Sequence, residues 1–306
     1  MKNTKKVFIV LFVVLLAVIG SVSAWAVSAK RQTFPTGLPV LTDEEAAQAR
    51  AKINAKADSL ETQEGLFNRM LNSPDYFDTA AVCFDLLEPH MTESKTVSCE
   101  VNFVTGESYE SVEPVSSAVK VERGLPSVEL YSNGEEVTTY DNMEKTYYMR
   151  PAFDRLSEEE ELGKNALRVY VNQADEESGT PTYVYRQDPT NTVMGGSYCL
   201  FPQGLAFGYL TDFSLWEITG STEYLGRECL ELSGTTTASY AEKMDAETFT
   251  MCVDKATGIL LKYEAKDKDG AVTSGMNVKE ISVDSPKAIR AAKKSQEKYK
   301  DYKLIQ

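Results

Sequence analysis

The chain has 306 residues, 42% of them hydrophobic, and its 46 acidic and 32 basic side chains give a formal net charge of −14. This composition excludes a collagen-like or wholly disordered chain. The acidic excess argues against a nucleic-acid partner, which would require a basic surface. The chain has a single histidine, His90, and this excludes multi-histidine metal sites.

The amino terminus contains an uncharged segment, Val7 to Ala29, which follows three lysines and precedes a Lys-Arg pair. About 20 apolar residues suffice to span a membrane, and the positive-inside rule keeps the preceding lysines in the cytoplasm. We therefore predict that residues 1–31 are a single-pass membrane anchor or a signal segment, with the body of the chain extracytoplasmic. The alternative to an anchor is a cleaved signal peptide and a secreted protein, because Ala24-Trp25-Ala26 could serve as the cleavage site.

Residues 32–75 are predicted to comprise a proline-containing spacer and one amphipathic helix. Thr42 is followed three residues later by Glu45, the spacing of a capping box that begins a helix. The apolar stripe then repeats every seven residues, at Ala46, Ile53, Leu60 and Phe67. The pattern predicts a helix that ends before Ser73-Pro74, since the residue before a proline disfavours helical backbone.

Short runs of alternating polar and apolar residues begin at Thr96 and are typical of an antiparallel meander. Among them, Tyr198–Trp216 is the most apolar stretch after the first 31 residues, and its Pro202 and Gly204 predict a short, broken helix beside an apolar opening. An ordinary core helix is the alternative for this stretch. The strands predicted after the first are Ala118–Glu122, Ser127–Tyr131, Glu136–Tyr140, Thr146–Met149, Arg168–Asn172, Pro181–Arg186, Glu228–Ser233, Thr248–Asp254, Ile259–Ala265 and Val272–Val283.

No sequence motif supports catalysis. The chain contains no GxSxG, phosphate-binding loop, HExxH or CxxC motif, and its five cysteines are scattered. His90 follows Glu88-Pro89 and is predicted to be a surface or capping residue. We therefore predict that the protein is not an enzyme and uses no cofactor or metal.

Three segments resemble a known fold family. Val128–Tyr148 combines strands with Asn-Gly and Tyr-Asp turns, Trp216–Leu232 contains a Gly-Arg-x-Cys entry to a strand, and Phe249–Val272 contains a Val-Asp-Lys turn and an Asp-Gly turn. These patterns resemble the LolA/LolB-like lipoprotein-carrier fold, which includes the amino-terminal domain of MucB/RseB-type regulators. The resemblance implies an α+β fold for residues 76–285: a curled antiparallel β-sheet, or incomplete barrel, covered by helices. It also implies an apolar interior that takes the acyl chains of lipids or lipoproteins. Residues 286–306 are predicted to be a basic tail.

Alternation within the last strands predicts that their inner face lines an apolar cavity, since every second side chain shares a face. The helix predicted within Tyr198–Trp216 would cover the open side. An acyl chain would gain about 0.8 kcal/mol per buried CH₂ there. The alternative is that the same residues interdigitate as a filled core. The predicted lining residues are Leu230, Leu232, Phe249, Met251, Val253, Ile259, Leu261 and Tyr263 from the strands, with Leu205 and Phe207 from the helix.

Two cysteines are predicted to form a cross-strand pair. Cys229 and Cys252 lie almost symmetrically about residue 241, the centre of the loop between their strands. A disulfide between them requires Cα atoms no more than about 7 Å apart.

These observations predict one of two functions for the exported body. The first is a membrane-tethered binding domain that holds a lipid, or a lipoprotein acyl chain, in the half-barrel. The second is a protein-interaction module that regulates a cell-envelope enzyme or regulator. In the second case the protein's own side chains fill the half-barrel and no lipid is bound.

Overall fold

The computed structural model describes residues 62–114, 126–153, 173–174, 181–182, 187–285 and 299–305. Several predicted segments lie outside these residues: the anchor at 1–31, the capping box at Thr42, the strands at Ala118–Glu122 and Arg168–Asn172, and most of the basic tail. Within the described ranges, no helix combines the length and apolar character needed to cross a membrane.

In the described part of the chain, twelve strands form one open, curled sheet and two short strands pair separately. The strands are β1 (Thr79–Leu87), β2 (Lys95–Asn102), β3 (Glu107–Pro114), β4 (Val128–Asn133), β5 (Glu136–Asp141), β6 (Thr146–Pro151), β7 (Gln173–Ala174), β8 (Pro181–Thr182), β9 (Trp216–Tyr224), β10 (Arg227–Thr235), β11 (Thr248–Asp254), β12 (Leu260–Lys266), β13 (Val272–Val283) and β14 (Lys303–Leu304). The order across the large sheet is β14-β6-β5-β4-β3-β2-β1-β13-β12-β11-β10-β9, and β7 pairs with β8.

The sheet confirms the main features of the predicted meander. β11 and β13 coincide with the predicted strands, and an open, curled sheet with helices is consistent with an incomplete barrel. One feature differs from the prediction, because the sheet is mixed instead of purely antiparallel. Lys303 and Leu304 of β14 align in parallel with Thr146 and Tyr147 of β6. β14 therefore forms one edge of the sheet, whereas the last long strand, β13, lies in its interior between β1 and β12.

Four α-helices occur in the described residues: α1 (Gln63–Leu71), α2 (Gly196–Leu200), α3 (Gln203–Tyr209) and α4 (Ala238–Met244). α1 begins after Thr62, whose backbone is extended and whose side chain accepts a hydrogen bond from the Gly65 amide at 3.1 Å. The predicted amphipathic helix therefore does not run unbroken from Thr42 to Leu71. Its predicted end is confirmed, since a 3₁₀ turn at Ser73–Asp75 follows it directly.

The apolar stretch within Tyr198–Trp216 forms the predicted broken helix. α2 ends at Leu200, and α3 begins at Gln203 after Phe201-Pro202. The break follows from proline, which donates no backbone hydrogen bond and disfavours helical backbone in the residue before it.

The core lies between the inner face of the sheet and helices α1 to α3. Strand β1 alternates half-buried and buried residues, as the two-residue period of a strand requires. α1 packs on α3 through the rings of Phe67 and Phe207, whose centroids are 6.0 Å apart.

α1 also packs on the turn between β11 and β12. Gly258 in this turn has φ 77°, and a Cβ atom there would collide with the backbone of Arg69. Glycine therefore permits both the left-handed turn and the close approach of the helix.

Candidate functional site

All ten predicted lining residues lie in the buried core. Each is at most 4% exposed, and all belong to one hydrophobic cluster. This cluster joins the inner face of β10–β13, called here the wall, to helices α2 and α3, called here the lid (residues 196–209). Glu231 and Lys262, on the opposite face of the same strands, are exposed. The structure therefore brings the ten residues together, and their role in binding a ligand stays a prediction.

The lid packs directly on the wall. Tyr209, at the end of α3, places its ring centroid 4.8 Å from that of Phe249 and 6.0 Å from that of Tyr263. The indole Nε1 of Trp216 donates to the carbonyl of Leu210 at 3.1 Å and so joins the end of the lid to the start of β9. The rings of Tyr209, Phe249 and Tyr263 are in contact across these surfaces, so a ligand can lie between them only if the lid moves away from the wall.

Three buried hydroxyl groups meet beneath the lid. Tyr209 of the lid, Tyr263 of β12 and Ser274 of β13 are 3%, 1% and 0% exposed, and none of their hydroxyl oxygens has a hydrogen-bond partner. Burial raises the pKa of both tyrosines, and the nearby Ser274 hydroxyl partly offsets this increase. An unsatisfied buried hydroxyl costs about 1–3 kcal/mol, so three at one place are a costly arrangement.

Sequence reasoning identified only one member of this hydroxyl cluster, Tyr263. Ser274 and Met276 are two positions apart on β13 and therefore share a face. Met276 pairs with Tyr263 of β12, and Ser274 pairs with Ala265, so this shared face is the inner one. The two-residue period was therefore a usable signal for Ser274, whereas the position of Tyr209 depends on how the lid docks.

Helix α4 lies against one end of the lid. The ring of Tyr240 is 4.9 Å from that of Tyr209, and it occupies the space that a side chain at Gly208 would need. His90, in the turn between β1 and β2, contacts the carbonyl of Lys243 through Nε2 at 2.9 Å. The β1–β2 turn and α4 therefore meet at this end, and the contact gives His90 a structural role.

A buried carboxylate binds the backbone just before the lid and at its first residue. Glu110 of β3 is 0% exposed and accepts hydrogen bonds from the amides of Val193 and Met194 at 2.9 Å and of Gly196 at 2.5 Å. Burial raises the pKa of Glu110, and the three amide donors partly offset this. Sequence reasoning missed this residue, since its partners lie more than 80 positions away.

A second acidic residue precedes the lid. Asp188 accepts hydrogen bonds from the amide and hydroxyl of Thr190 at 2.8 and 2.6 Å. Burial raises the pKa of Asp188 to about 6; Thr190 and Arg150 act against this rise, and Glu110 adds to it. Arg150 also donates to the carbonyl of Asn191 at 3.2 Å. The segment before the lid is therefore held by side chains from the β3–β6 part of the sheet.

A different surface of the sheet buries Glu129 of β4, which is 1% exposed. Its carboxylate accepts hydrogen bonds from the hydroxyls of Tyr109 at 3.2 Å, Tyr131 at 3.3 Å and Tyr299 at 2.9 Å. A fourth bond comes from the side-chain amide of Asn142 at 2.9 Å. The carboxylate is therefore fully satisfied, and one of its donors belongs to the end of the chain.

The carboxy-terminal residues dock on this surface. The ring of Tyr299 stacks on that of Tyr140 with centroids 3.7 Å apart, and Tyr302 donates to the Asn142 side-chain oxygen at 2.7 Å. β14 then pairs with β6. Part of the predicted basic tail is thus a packed segment of the sheet.

The two cysteines predicted to pair lie on adjacent strands but are not directly opposite each other. Cys229 pairs with Asp254, and Cys252 pairs with Glu231, in a register centred between residues 241 and 242. A direct cysteine pair would need a register centred one residue earlier. Their thiols nevertheless interact: hydrogen bonding with Cys252 lowers the pKa of Cys229, and the same bond raises that of Cys252. Both are free thiols in this structure, and the disulfide stays a prediction.

Comparison with known proteins gives similarity to solved structures only. No family model and no curated protein matches the chain. The chain is similar to the Pseudomonas aeruginosa MucA/MucB complex structure, with 12% identity, a TM-score of 0.35, and coverage of 73% of this chain and 57% of the other. It is similar to LprF from Mycobacterium bovis, with 12% identity, a TM-score of 0.32, and coverage of 72% and 93%. It is also similar to the Mycobacterium tuberculosis lipoprotein LppX, with 8% identity, a TM-score of 0.30, and coverage of 80% and 98%.

MucB, which the sequence resemblance also names, is among these similar structures. At such identities and TM-scores they carry no argument about ligands. The functional argument therefore rests on the residues of this chain.

Proposed function

We propose that the extracytoplasmic body binds a lipid or lipidated ligand between the lid and the wall. The observation that carries this proposal is the gathering of ten apolar residues from both elements into one buried interface. Transfer of an acyl chain into such surroundings gains about 0.8 kcal/mol per buried CH₂. The interface has the chemistry that an acyl chain requires.

Ligand entry requires the lid to leave the wall, and its construction suits such a movement. α2 has five residues and α3 has seven, far fewer than the roughly 12–15 that an isolated helix needs for even marginal stability in water. The lid therefore owes its position to packing and to the bonds from Glu110. A ligand that replaces the packing contacts would offset the free energy of displacing the lid.

The uncharged segment Val7–Ala29 would tether this domain to the membrane, with the body outside. Tethering would keep the lid–wall interface close to a supply of acyl chains. The proposal is thus a non-enzymatic, single-pass binding protein of the cell envelope.

A second candidate function, a protein-interaction module, is favoured by the close packing of the lid on the wall. Its binding surface would be β9, the strand at one edge of the sheet. Glu217 and Glu223 project from β9 as exposed side chains, so the edge would suit a basic extended segment of a cell-envelope protein.

Native mass spectrometry of the ectodomain, residues 32–306, tests the first function against the second. Lipid binding predicts a co-purifying mass of acyl-lipid size that organic extraction removes. It also predicts saturable binding of a fluorescent fatty acid, lost in Leu261→Arg but kept in Lys262→Arg on the opposite face. An ectodomain that carries no lipid and binds no probe would overturn the first function and leave the interaction module in its place.

A further inference from the structure

We propose that the hydroxyl cluster of Tyr209, Tyr263 and Ser274 binds the carbonyl oxygen of a neutral, ester-linked acyl chain. This inference rests on the proposed lipid binding and specifies its ligand. Tyr263 and Ser274 belong to the wall, and Tyr209 is carried by the lid. The cluster therefore joins the two surfaces between which the acyl chain would lie.

The cluster stands out against the way that polar groups are buried elsewhere in the chain. Glu129 has four donors and Glu110 has three. The hydroxyls of Ser108 and Thr139 also lack partners, but they belong to β3 and β5, which are separated by β4. Among the described residues, three unpaired hydroxyls converge only beneath the lid, where a ligand oxygen would accept hydrogen bonds from two of them.

The chemistry of the cluster favours a carbonyl. A hydroxyl can donate a hydrogen bond, and a carbonyl oxygen accepts through two lone pairs without donating. A single ester carbonyl can therefore accept from two of these hydroxyls at once. A hydrocarbon chain without a carbonyl would leave them unpaired.

Charge favours a neutral ligand over an ionised fatty acid. The buried charged side chains of the described residues are Glu110, Glu129 and Asp254, all acidic. A buried carboxylate requires a cationic partner or extensive hydrogen bonding, and these residues supply no cation. An ester places the same carbonyl in the core without a charge.

The position of the cluster also orients the chain. Ser274 pairs with Ala265, which in turn pairs with Phe249, so the hydroxyls lie near the end of the wall where α4 meets the lid. The acyl chain would extend from there along Met251 and Val253. The ester and its headgroup would face the end closed by α4 and the β1–β2 turn.

A matched pair of ligands tests the inference on the full-length protein in amphipol. 1-Monooleoylglycerol and 1-O-oleylglycerol share the chain and the headgroup, but only the first has a carbonyl. We expect the wild-type protein to bind the ester about tenfold more tightly than the ether, equal to about 1.4 kcal/mol. Tyr263→Phe/Ser274→Ala should reduce this preference to less than twofold without weakening ether binding. Tyr147→Phe, a control in β6 outside both the lid and the wall, should keep the full preference.

The ester can come from a free acylglycerol or from a lipoprotein, and a second arm distinguishes the sources. Binding of a synthetic diacylglyceryl-cysteine peptide more tightly than monooleoylglycerol would support a lipoprotein ligand. The reverse order would support an acylglycerol, and both outcomes agree with carbonyl recognition.

Equal wild-type affinities for ester and ether would overturn the inference and leave the proposed lipid binding intact. A tenfold preference that survives in the double variant would also overturn it. Binding of neither ligand would overturn the proposed function together with the inference. The double variant should unfold at the same temperature as the wild type or higher, because it removes unpaired hydroxyls and no hydrogen bond. If it does not fold, Tyr209→Phe in the lid replaces it.

Discussion

The two parts of the sheet differ in the kind of buried polar group that they contain and in how these groups are hydrogen-bonded. In β3–β6, Glu110 and Glu129 are almost inaccessible to solvent, and each carboxylate accepts several hydrogen bonds. Between the wall and the lid, the interior is apolar and three neighbouring hydroxyls remain unpaired. Since buried polar groups are normally satisfied, the bonded carboxylates make the first part a structural framework, in which only the separate hydroxyls of Ser108 and Thr139 lack partners, whereas the second part gathers its unpaired hydroxyls at one place.

The difference separates a part of the sheet that stabilises the fold, β3–β6, from the part proposed to bind the ligand, the wall and the lid. Glu110 connects the two parts, because it belongs to β3 but bonds the residues that begin the lid. The framework therefore holds one end of the lid, while the rest of the lid depends on apolar packing. Displacement of the lid by a ligand would leave the framework unchanged.

We expect the largest loss of stability from a substitution in the apolar wall. Phe249→Ala removes a ring that contacts Tyr209 of the lid, and such substitutions in cores cost about 3–5 kcal/mol. Urea unfolding should show this loss. Thr250→Ala, the exposed neighbour on the same strand, should change stability by no more than about 0.5 kcal/mol. Similar losses in both variants would contradict the assignment of the inner face.

Glu110→Gln tests whether the framework holds the lid. The substitution turns one accepting oxygen into a donor that faces backbone amides, and an unsatisfied buried group costs about 1–3 kcal/mol. Hydrogen exchange at Val193, Met194 and Gly196 should accelerate more than exchange in β11. Glu113→Gln, exposed on the same strand, serves as the control. Unchanged exchange at these three amides would contradict the conclusion that Glu110 holds the start of the lid.

Tyr299→Ala tests the docking of the carboxy-terminal residues. It removes one donor to Glu129 and the stack on Tyr140, at a cost of about 2 kcal/mol. Limited proteolysis should then cleave near residue 299 faster than in the wild type, whereas Lys300→Ala, at an exposed position, should behave as the wild type. Ligand affinity should not change, since the lid is not involved.

The smallest expected effect is the change in stability with pH that arises from Asp188. The pKa of Asp188 in the folded chain, about 6, lies above its ordinary value of 3.8, so the folded state binds this proton more tightly than the unfolded state. The contribution of Asp188 to stability is therefore greatest below the unfolded pKa and is lost as pH rises from about 4 to about 6.

Urea unfolding at several pH values between 4 and 7 checks this sign. Asp188→Asn should gain stability relative to the wild type as pH rises through that interval. Asp212→Asn is the control, because the Ser214 hydroxyl and amide lower the pKa of Asp212 below its ordinary 3.8, so its curve should run nearly parallel to that of the wild type above pH 4. Parallel curves for Asp188→Asn and the wild type would contradict the assignment.

Local patterns predicted the parts of the molecule that depend on neighbouring residues. Two-residue alternation placed the inner-face residues of β10–β12 correctly, and Pro202 marked the break between α2 and α3. The patterns did not predict β1, β3, β9 or α4. Strands β3 and β9 contain few apolar residues, whereas β1 is apolar at most positions and alternates regularly in burial. Local patterns could not predict the roles of Glu110 and Glu129. Gly196, a partner of Glu110, is 86 positions away in the sequence, and Tyr299, a partner of Glu129, is 170 positions away.

The register of Cys229 and Cys252 illustrates the same limit. The two cysteines lie almost symmetrically about residue 241, but the register of β10 and β11 is centred between residues 241 and 242, so each cysteine faces a different residue. A shift of two residues keeps both thiols on one face, so the face was predictable and the direct partner was not.

Photo-crosslinking tests the central claim, that an acyl chain lies between the lid and the wall, most directly. A monoacylglycerol with a diazirine in its acyl chain would be bound to the full-length protein, irradiated and mapped by peptide mass spectrometry. Binding between the lid and the wall predicts adducts in residues 203–209 of the lid and 248–254 of the wall, suppressed by excess unlabelled lipid. Adducts confined to exposed apolar residues such as Val104, Leu304 and Ile305, and not suppressed by competitor, would contradict it.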